Sequence, residues 1–368
     1  MLDALIVVSS DPRYDARSTK FLNSLLEAGL KARVIGTSSD NEAEETEAII
    51  RVPVDARGGK KFFLQFYGRI VPRCLNTPAK VVIAGDLFSL PPAILAKRKS
   101  MRFGIQSRLI YDSKELYREL PSLKRKKSSF LFWMIVENQS IKRTDRVLTV
   151  NESIAEILEV KWHLPVTVVM NVPESSVAIT GRPKSLDRIF LAFSGGLQPE
   201  RGLENLIRLV SLLPRKYEIR FVGDGSMREE LERLAQKLDV GSRVHFVGRV
   251  KNSEVIDRLS QSHVGIYLME NTGLCHYLAL PNKLFQFLSA GLPVIVPTFP
   301  EMEKIVRKYD VGKSVDPKNL EEAARAVVAI TSDAEVYRRY VANCEKAARE
   351  LNWRVEKDKF VKVVKELI

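Results

Sequence analysis

The sequence predicts an α/β protein built from two Rossmann-like, doubly wound domains facing each other across a cleft. The chain has 368 residues, long for one hydrophobic core, so two domains of roughly 150–200 residues are the default expectation. Short β-branched runs alternate with longer amphipathic stretches from end to end, the pattern of βαβ units around a mostly parallel sheet. The alternation lapses in NVPESSVAITGRPKSLD, between Asn171 and Asp187, where Pro, Ser and Gly gather and periodicity is lost. This predicts a linker, with one domain over 1–175 and another over 186–351.

In the first domain ALIVVS (4–9), KARVIG (31–36), KVVIAG (80–85), SRLIYD (107–112), RVLTV (146–150) and VTVVMN (166–171) read as strands, with helical patterns in most gaps. In the second, RIFLAFSG, YEIRFVGDG, RVHFVG, HVGIYL and PVIVP read as strands, each followed by a helix. Residues 352–368 form an amphipathic helix that fits against either domain. Ligands of doubly wound sheets bind outside the carboxyl ends of the strands, so the loops there are where chemistry is expected.

Composition narrows the class. At 45% apolar and 28% charged residues the chain is an ordinary folded protein without low-complexity tracts. The opening MLDALIVVSSDPRYDAR has a four-residue apolar run and early acids, and no run approaches 18 apolar residues. Neither a signal peptide nor a membrane span is expected, and the cytoplasm is the expected location. Cys74, Cys275 and Cys344 are scattered without ligand spacing, which predicts buried thiols and no metal site. The net charge of +13 arises within 51–150, which carries 21 Lys and Arg against 7 Asp and Glu. Two basic segments, 57–73 and 124–143, interleave aromatics with cations. They fit peripheral contact with an anionic membrane, or equally a solvated basic face with Phe and Trp turned into the core. Nucleic acid is not expected as a partner, because no reading motif accompanies the charge.

Three turns favour anions. FSGGLQPERGLENLIRLV (193–210) is a strand, a glycine turn, Arg201 and a helix start; glycines let backbone approach a phosphate and helix amides attract it. FVGDGSMREEL (221–231) repeats the arrangement, and LPNKLFQFLSAGLPVIVP (280–297) puts Asn282 and Lys283 at a helix start. Each turn alone is explained by tight packing. Together they predict a diphosphate ligand.

At these motifs the chain resembles the family 4 glycosyltransferases of the GT-B fold, and the resemblance covers nearly its whole length. In the second half it rests on GGLQPERGLENLI, VGDGSMREELERLA, RVHFVGRV, LPNKLFQFLSAGLPVIVPTFPEMEKIV and VDPKNLEEAARAV. In the first half it rests on DARSTKFLNSLLEAG, IAGDLFSLPPAIL, LIYDSKELYREL and TDRVLTVNESIAEIL, and LNWRVEKDKF is similar to a final helix that crosses back to the first domain. The resemblance implies a retaining, metal-independent sugar transfer from a nucleotide diphosphate sugar, with no other cofactor. Its candidate acceptor is a lipid-linked or cell-envelope glycan at the inner membrane face, bound by the first domain. The cations implied at the reacting phosphates are Lys114, Arg201 and Lys283. Donor contacts fall to Gly195, Gly196, Arg201, Asp224, Val250, Asn282, Lys283, Leu284 and Gln286. The acceptor or cleft candidates are Asp15, Arg17, Asp86 and Glu115, each of which also reads as a cap or a surface charge.

The sequence departs from the family pattern in four places. Lys114 stands where a His is usual, Gly196 where an Arg is frequent, and Leu278 and Gln286 where the family has a pair of Glu. An amide at 286 still offers hydrogen bonds to a ribose, at a cost of about 1 kcal/mol in charge assistance. His276 reads as a satisfied loop histidine. The alternatives to an active transferase are a catalytically impaired homologue serving as a subunit or scaffold, and a nucleotide-sugar epimerase, which lacks its expected acid–base cluster here.

Overall fold

A computed structural model describes residues 1–38, 40, 42–55, 59–174 and 185–368. Most of the expected linker, residues 175–184, lies outside the described residues, as do Arg57 and Gly58 of the first basic segment. The chain divides into two compact units, Met1–Asn171 with Glu356–Ile368, and Val172–Val355.

The first unit is built on an eight-stranded sheet in the order β3-β4-β2-β1-β5-β6-β7-β8. The strands are β1 (Leu2–Val7), β2 (Ala32–Ser38), β3 (Glu44–Glu45), β4 (Ile49–Pro53), β5 (Ala79–Ala84), β6 (Arg108–Asp112), β7 (Arg146–Thr149) and β8 (Val166–Val168). All pairings are parallel except β3 with β4. Both faces of the sheet carry helices, so β1 and β5 are runs of buried Ala, Val, Leu and Ile rather than alternating patterns. The second unit has a six-stranded, all-parallel sheet in the order β11-β10-β9-β12-β13-β14. Its strands are β9 (Ile189–Ser194), β10 (Tyr217–Val222), β11 (Val244–Gly248), β12 (Val264–Ile266), β13 (Val294–Pro297) and β14 (Gly312–Val315). Both sheets reverse strand order in the doubly wound manner, beside β1 and β5 in one unit and beside β9 and β12 in the other.

Strands β3, β4 and β14 are absent from the sequence reading. Strand β4 hides because its centre is Arg51, buried at 2% exposure and forked onto Asp11 at 3.0 and 2.9 Å, with Glu44 at 3.1 Å. A buried ion cluster does the work that an apolar side chain does elsewhere. Strand β14 begins at Gly312, where a Cβ would meet the Val294 carbonyl oxygen at 2.0 Å, so close strand approach, not β-propensity, selects its first residue.

The helix Ala16–Glu27 shows how the first unit is held. Arg17, 3% exposed, donates from Nε and Nη2 to the Asp112 carboxylate at 2.7 Å each and from Nη1 to the Val169 carbonyl at 2.8 Å. Its guanidinium lies over the Phe21 ring at 4.8 Å, and Phe21 stacks on Phe360 of the helix Trp353–Lys365 at 3.9 Å. That helix is tied again where Glu356 accepts from the Met170 amide at 2.8 Å and Lys357 pairs with Glu27 at 3.0 Å. Arg17→Ala leaves Asp112 buried without its partner, so a loss of about 3–5 kcal/mol is expected in chemical denaturation. A loss under 1 kcal/mol would contradict this role.

Candidate functional site

The site grows from three contacts of backbone on backbone at the head of the second sheet. Gly195 follows β9 at φ 121°, and its carbonyl oxygen lies 2.0 Å from where a Cβ on Gly223 would sit. Gly225 approaches the Leu197 carbonyl in the same way, at 2.3 Å. The turns after β9 and β10 therefore interlock, sealed by the Leu197 amide on the Asp224 carbonyl at 3.0 Å and the Met227 amide on the Leu197 carbonyl at 3.1 Å. Gly223 and Gly225 thus serve packing. At Gly202 (φ 69°) a Cβ would meet the Leu268 carbonyl oxygen at 1.9 Å. This contact, with Glu200 also left-handed at φ 68°, presses the loop carrying Arg201 onto the segment after β12. Arg201 stays exposed, and its charge offsets part of the rise that burial gives the Tyr267 phenol.

Lys283 meets this loop from below. It lies in the first turn of the helix Asn282–Ser289, which has no side-chain cap and so offers free amides. Its side chain is 7% exposed, and its Nζ is buried without a hydrogen-bond partner. The ammonium lies over the rings of Phe193 at 4.3 Å and Tyr267 at 3.9 Å, and a Cβ on Gly195 would stand 3.6 Å from it. Burial first, and then the charge of Arg201, hold its pKa well below the ordinary lysine range. Two cations and a glycine turn converge where strand order reverses, and among the described residues nothing anionic pairs with Lys283. On the next turn Gln286 accepts from Ser194 Oγ at 2.9 Å through Oε1, which leaves its NH2 as a donor.

The other donor candidates divide. Gly196 is open, since a Cβ there would make only ordinary contacts with Gln198 at 3.6 Å and Asp224 at 4.0 Å. Asn282 is exposed at the helix start. Asp224 is exposed and its carboxylate accepts from the Gly225 amide at 2.9 Å; Val250 is half-buried in the loop after β11. The bridge between Gly223 and Gly248 ties these two loops together. Leu284 is a correction: its side chain is 1% exposed and its amide is spent on the Pro281 carbonyl at 3.1 Å, so it is core. Leu278 is buried too, and His276 pairs through Nδ1 with Thr272. Phe193, Ser194 and Tyr267 are not among the site candidates of the sequence, although the first two open the 193–210 motif. Their only signal is position, at or just beyond the carboxyl ends of the strands flanking the reversal.

In the first unit the corresponding carboxylates are satisfied from within. Asp86 accepts from Ser9 N and Oγ at 2.9 and 2.8 Å and from the Ser89 amide at 2.8 Å, a loop clamp and not a cleft acid. Arg17 is likewise corrected, its guanidinium being consumed by Asp112 and Val169. Asp15 caps its helix through the Ser18 amide at 3.1 Å and accepts from Ser10 Oγ at 2.7 Å and Lys114 Nζ at 3.1 Å. Burial would raise its carboxyl, but Lys114 and these donors hold it below the ordinary value. Lys114 is raised in turn, burial being outweighed by Asp15, Asp86 and Asp112. Glu115 is exposed. Among the described residues no group of His, Cys, Asp and Glu is arranged to hold a metal.

The two basic segments meet in one aromatic cluster. Phe63 on the helix Gly59–Leu75 lies 4.8 Å from Trp133 on the helix Lys127–Ile141, and Phe88 lies 4.8 Å from Trp133. Trp133 and Phe66 are buried, whereas Leu64, Leu131, Phe132 and Ile135 are exposed at 78, 60, 56 and 54%. Lys60, Lys61 and the run Lys124–Lys127 are exposed on the same helices and the turn before the second. No helix among the described residues is long and apolar enough to cross a membrane.

Over its whole length the chain superposes on the crystal structure of Anabaena Alr3699/HepE in complex with UDP, with a TM-score of 0.74 at 12% identity, covering 99% of this chain and 100% of that one. The fold is thus the two-domain α/β architecture of GT-B glycosyltransferase structures. Residues 179–349 match the family model described as Glycosyl transferases group 1. The lipopolysaccharide core biosynthesis glycosyltransferase LpsE of Rhizobium meliloti is 28% identical over 202 residues, 52% of this chain and 55% of that protein. The uncharacterized glycosyltransferase MJ1607 of Methanocaldococcus jannaschii is 29% identical over 159 residues, 43% of this chain and 39% of that protein. The chain spans about half the length or less of these curated relatives.

Two outcomes test the site as built. Lys283→Met removes an unpaired buried charge, so the unliganded protein is expected to gain about 1–4 kcal/mol at pH 7. Because the folded ammonium is depressed, the unfolded chain binds the extra proton, and stability rises as pH climbs toward the ordinary lysine value. The advantage of the variant therefore shrinks toward pH 10, and a variant less stable than wild type at pH 7 would show the ammonium to be paired. Gly202→Ala combines a left-handed φ with a backbone clash, whereas Gly248→Ala has a φ of 84° and open space. The first is expected to cost about 1–3 kcal/mol more than the second in denaturant titrations.

Proposed function

We propose that the protein is a retaining, metal-independent glycosyltransferase that takes a sugar from a nucleotide diphosphate sugar. The observation that carries this reading is the buried, unpartnered Lys283 ammonium beside the Gly195 turn, with Arg201 exposed nearby. A diphosphate is the ligand that supplies both cations and the first-turn amides with acceptors at once. When the bond from the anomeric carbon to the phosphate oxygen breaks, negative charge grows on the leaving nucleotide diphosphate, and these groups stabilise it. The acceptor hydroxyl oxygen bonds the anomeric carbon on the face that the phosphate leaves, and its proton passes to a leaving phosphate oxygen. Gln286 meets the ribose through its NH2, and the loops bearing Asp224 and Val250 line the nucleobase. That the HepE structure holds UDP and that LpsE is named for lipopolysaccharide core synthesis support a nucleotide donor and a glycan acceptor.

The acceptor is read as a lipid-linked or cell-envelope glycan at a membrane surface. Exposed Leu64, Leu131, Phe132 and Ile135 beside exposed lysines have the chemistry of a face that inserts shallowly among anionic headgroups. Vesicle flotation is expected to recover the protein with phosphatidylglycerol vesicles and not with phosphatidylcholine alone. The triple variant Leu131→Ser, Phe132→Ser, Ile135→Ser should stay in solution. Equal recovery on neutral vesicles argues against a role for anionic headgroups, and none on either argues against membrane contact.

Thermal shift with UDP, GDP and ADP tests the donor site. One nucleotide is expected to raise the melting temperature, with Arg201→Ala and Lys283→Ala each weakening its affinity about 10–100-fold. If none stabilises the wild type, the donor reading fails. The Lys114–Asp15 ion pair, standing where the family has its histidine, favours a second reading, a non-catalytic scaffold. Donor binding without hydrolysis or transfer of any nucleotide sugar would select it.

A further inference from the structure

Tyr267 lies beside both cations of the site. Its ring face lies 3.9 Å from Lys283 Nζ, its hydroxyl donates to Met269 Sδ at 2.8 Å, and Arg201 is close enough for its charge to act on the phenol oxygen. It stands directly after β12, on the backbone segment against which the Arg201 loop is pressed at Leu268, and it is 1% exposed. A lysine without an anion would otherwise extend into solvent, and an exposed arginine beside it would swing away from like charge. We propose that Tyr267 is a positioning residue that holds Lys283 and Arg201 together before the anion arrives, the ring face substituting for a counter-charge on one cation and the phenol oxygen fixing the other. Phe193 completes the cradle from the other side at 4.3 Å.

The inference rests on the donor reading but makes a separate demand. Two like charges held close without an anion constitute preorganisation for a diphosphate, whose two phosphates engage both at once, and for a monophosphate far less. The role is electrostatic and orientational, so it vanishes when Lys283 is gone. A role confined to packing would not.

The test uses inorganic pyrophosphate and inorganic phosphate as probes, with affinity measured by calorimetry and folding by melting. Tyr267→Leu is expected to weaken pyrophosphate about tenfold or more, with phosphate little changed. Tyr267→Phe keeps the ring over Lys283 and should recover a large part of the loss. In the Lys283→Ala background Tyr267→Leu should lose markedly less than in wild type. Should Tyr267→Leu fail to fold, Phe193→Leu repeats the cycle through the second ring. Wild-type affinity in a folded Tyr267→Leu protein, or the same loss with and without Lys283, overturns the positioning role and leaves the donor site standing. Failure of the wild type to bind pyrophosphate and every nucleotide diphosphate overturns both.

Discussion

Close approach of backbone to backbone at the head of the second sheet is the constraint from which the site follows. Gly223 against Gly195, Gly225 against Leu197 and Gly202 against Leu268 leave no room for a Cβ, and the loops have one way to lie. Lys283 comes from the first turn of the helix that follows Pro281, and its Nζ lies in van der Waals reach of the Gly195 turn. A buried ammonium without a hydrogen-bond partner is costly. The two ring faces recover part of that cost, and an anion of the kind proposed would recover more. Stability of the empty protein and affinity for an anion are thus opposed in one side chain.

The first unit repeats the order around the reversal, β4-β2-β1-β5-β6 matching β11-β10-β9-β12-β13, with the opposite electrostatics. At its reversal point Asp86 is clamped by Ser9 and Ser89, and Asp15 is shared among Ser10, Ser18 and Lys114. Every one of these carboxylates has donors from the protein itself. A surface satisfied in this way has little attraction for an ion, and it would suit the neutral, hydroxyl-rich acceptor proposed above.

Legibility in the sequence followed the same division. Strands that are apolar on both faces, such as β1, β5, β9 and β13, stand out as runs. Strand β4 does not, because Arg51 at its centre is buried through ion pairs that lie 40 and 7 residues away in sequence. Glycine turns were visible as motifs, but not the difference between a glycine that borders a buried cation and one that admits another loop: Gly195 borders Lys283, while Gly223 and Gly225 border backbone. Arg17 and Asp86 looked like cleft groups because a charge after a strand does so whenever its partners are distant in sequence. Asp112 is 95 residues from Arg17, and Ser9 is 77 from Asp86. Tyr267 carried no motif at all, since a tyrosine ending a buried strand reads as core until the cation on its face is known.

The neutral Gln286 becomes intelligible against this background. It lies three residues beyond Lys283 on one helix face, and Ser194 already donates to its oxygen. A carboxylate at this place would strengthen the hold on a ribose through a charge-assisted bond. It would also set a negative charge one turn from Lys283 in a region of low dielectric, where part of the lysine's charge would be answered before any ligand arrived. The amide forgoes the first effect and removes the second. For a donor of the kind proposed, affinity would shift from the sugar of the nucleotide toward its diphosphate, and the two departures from the resembled pattern, Gln286 and the open Gly196, would leave the hold on that donor to Lys283 and Arg201.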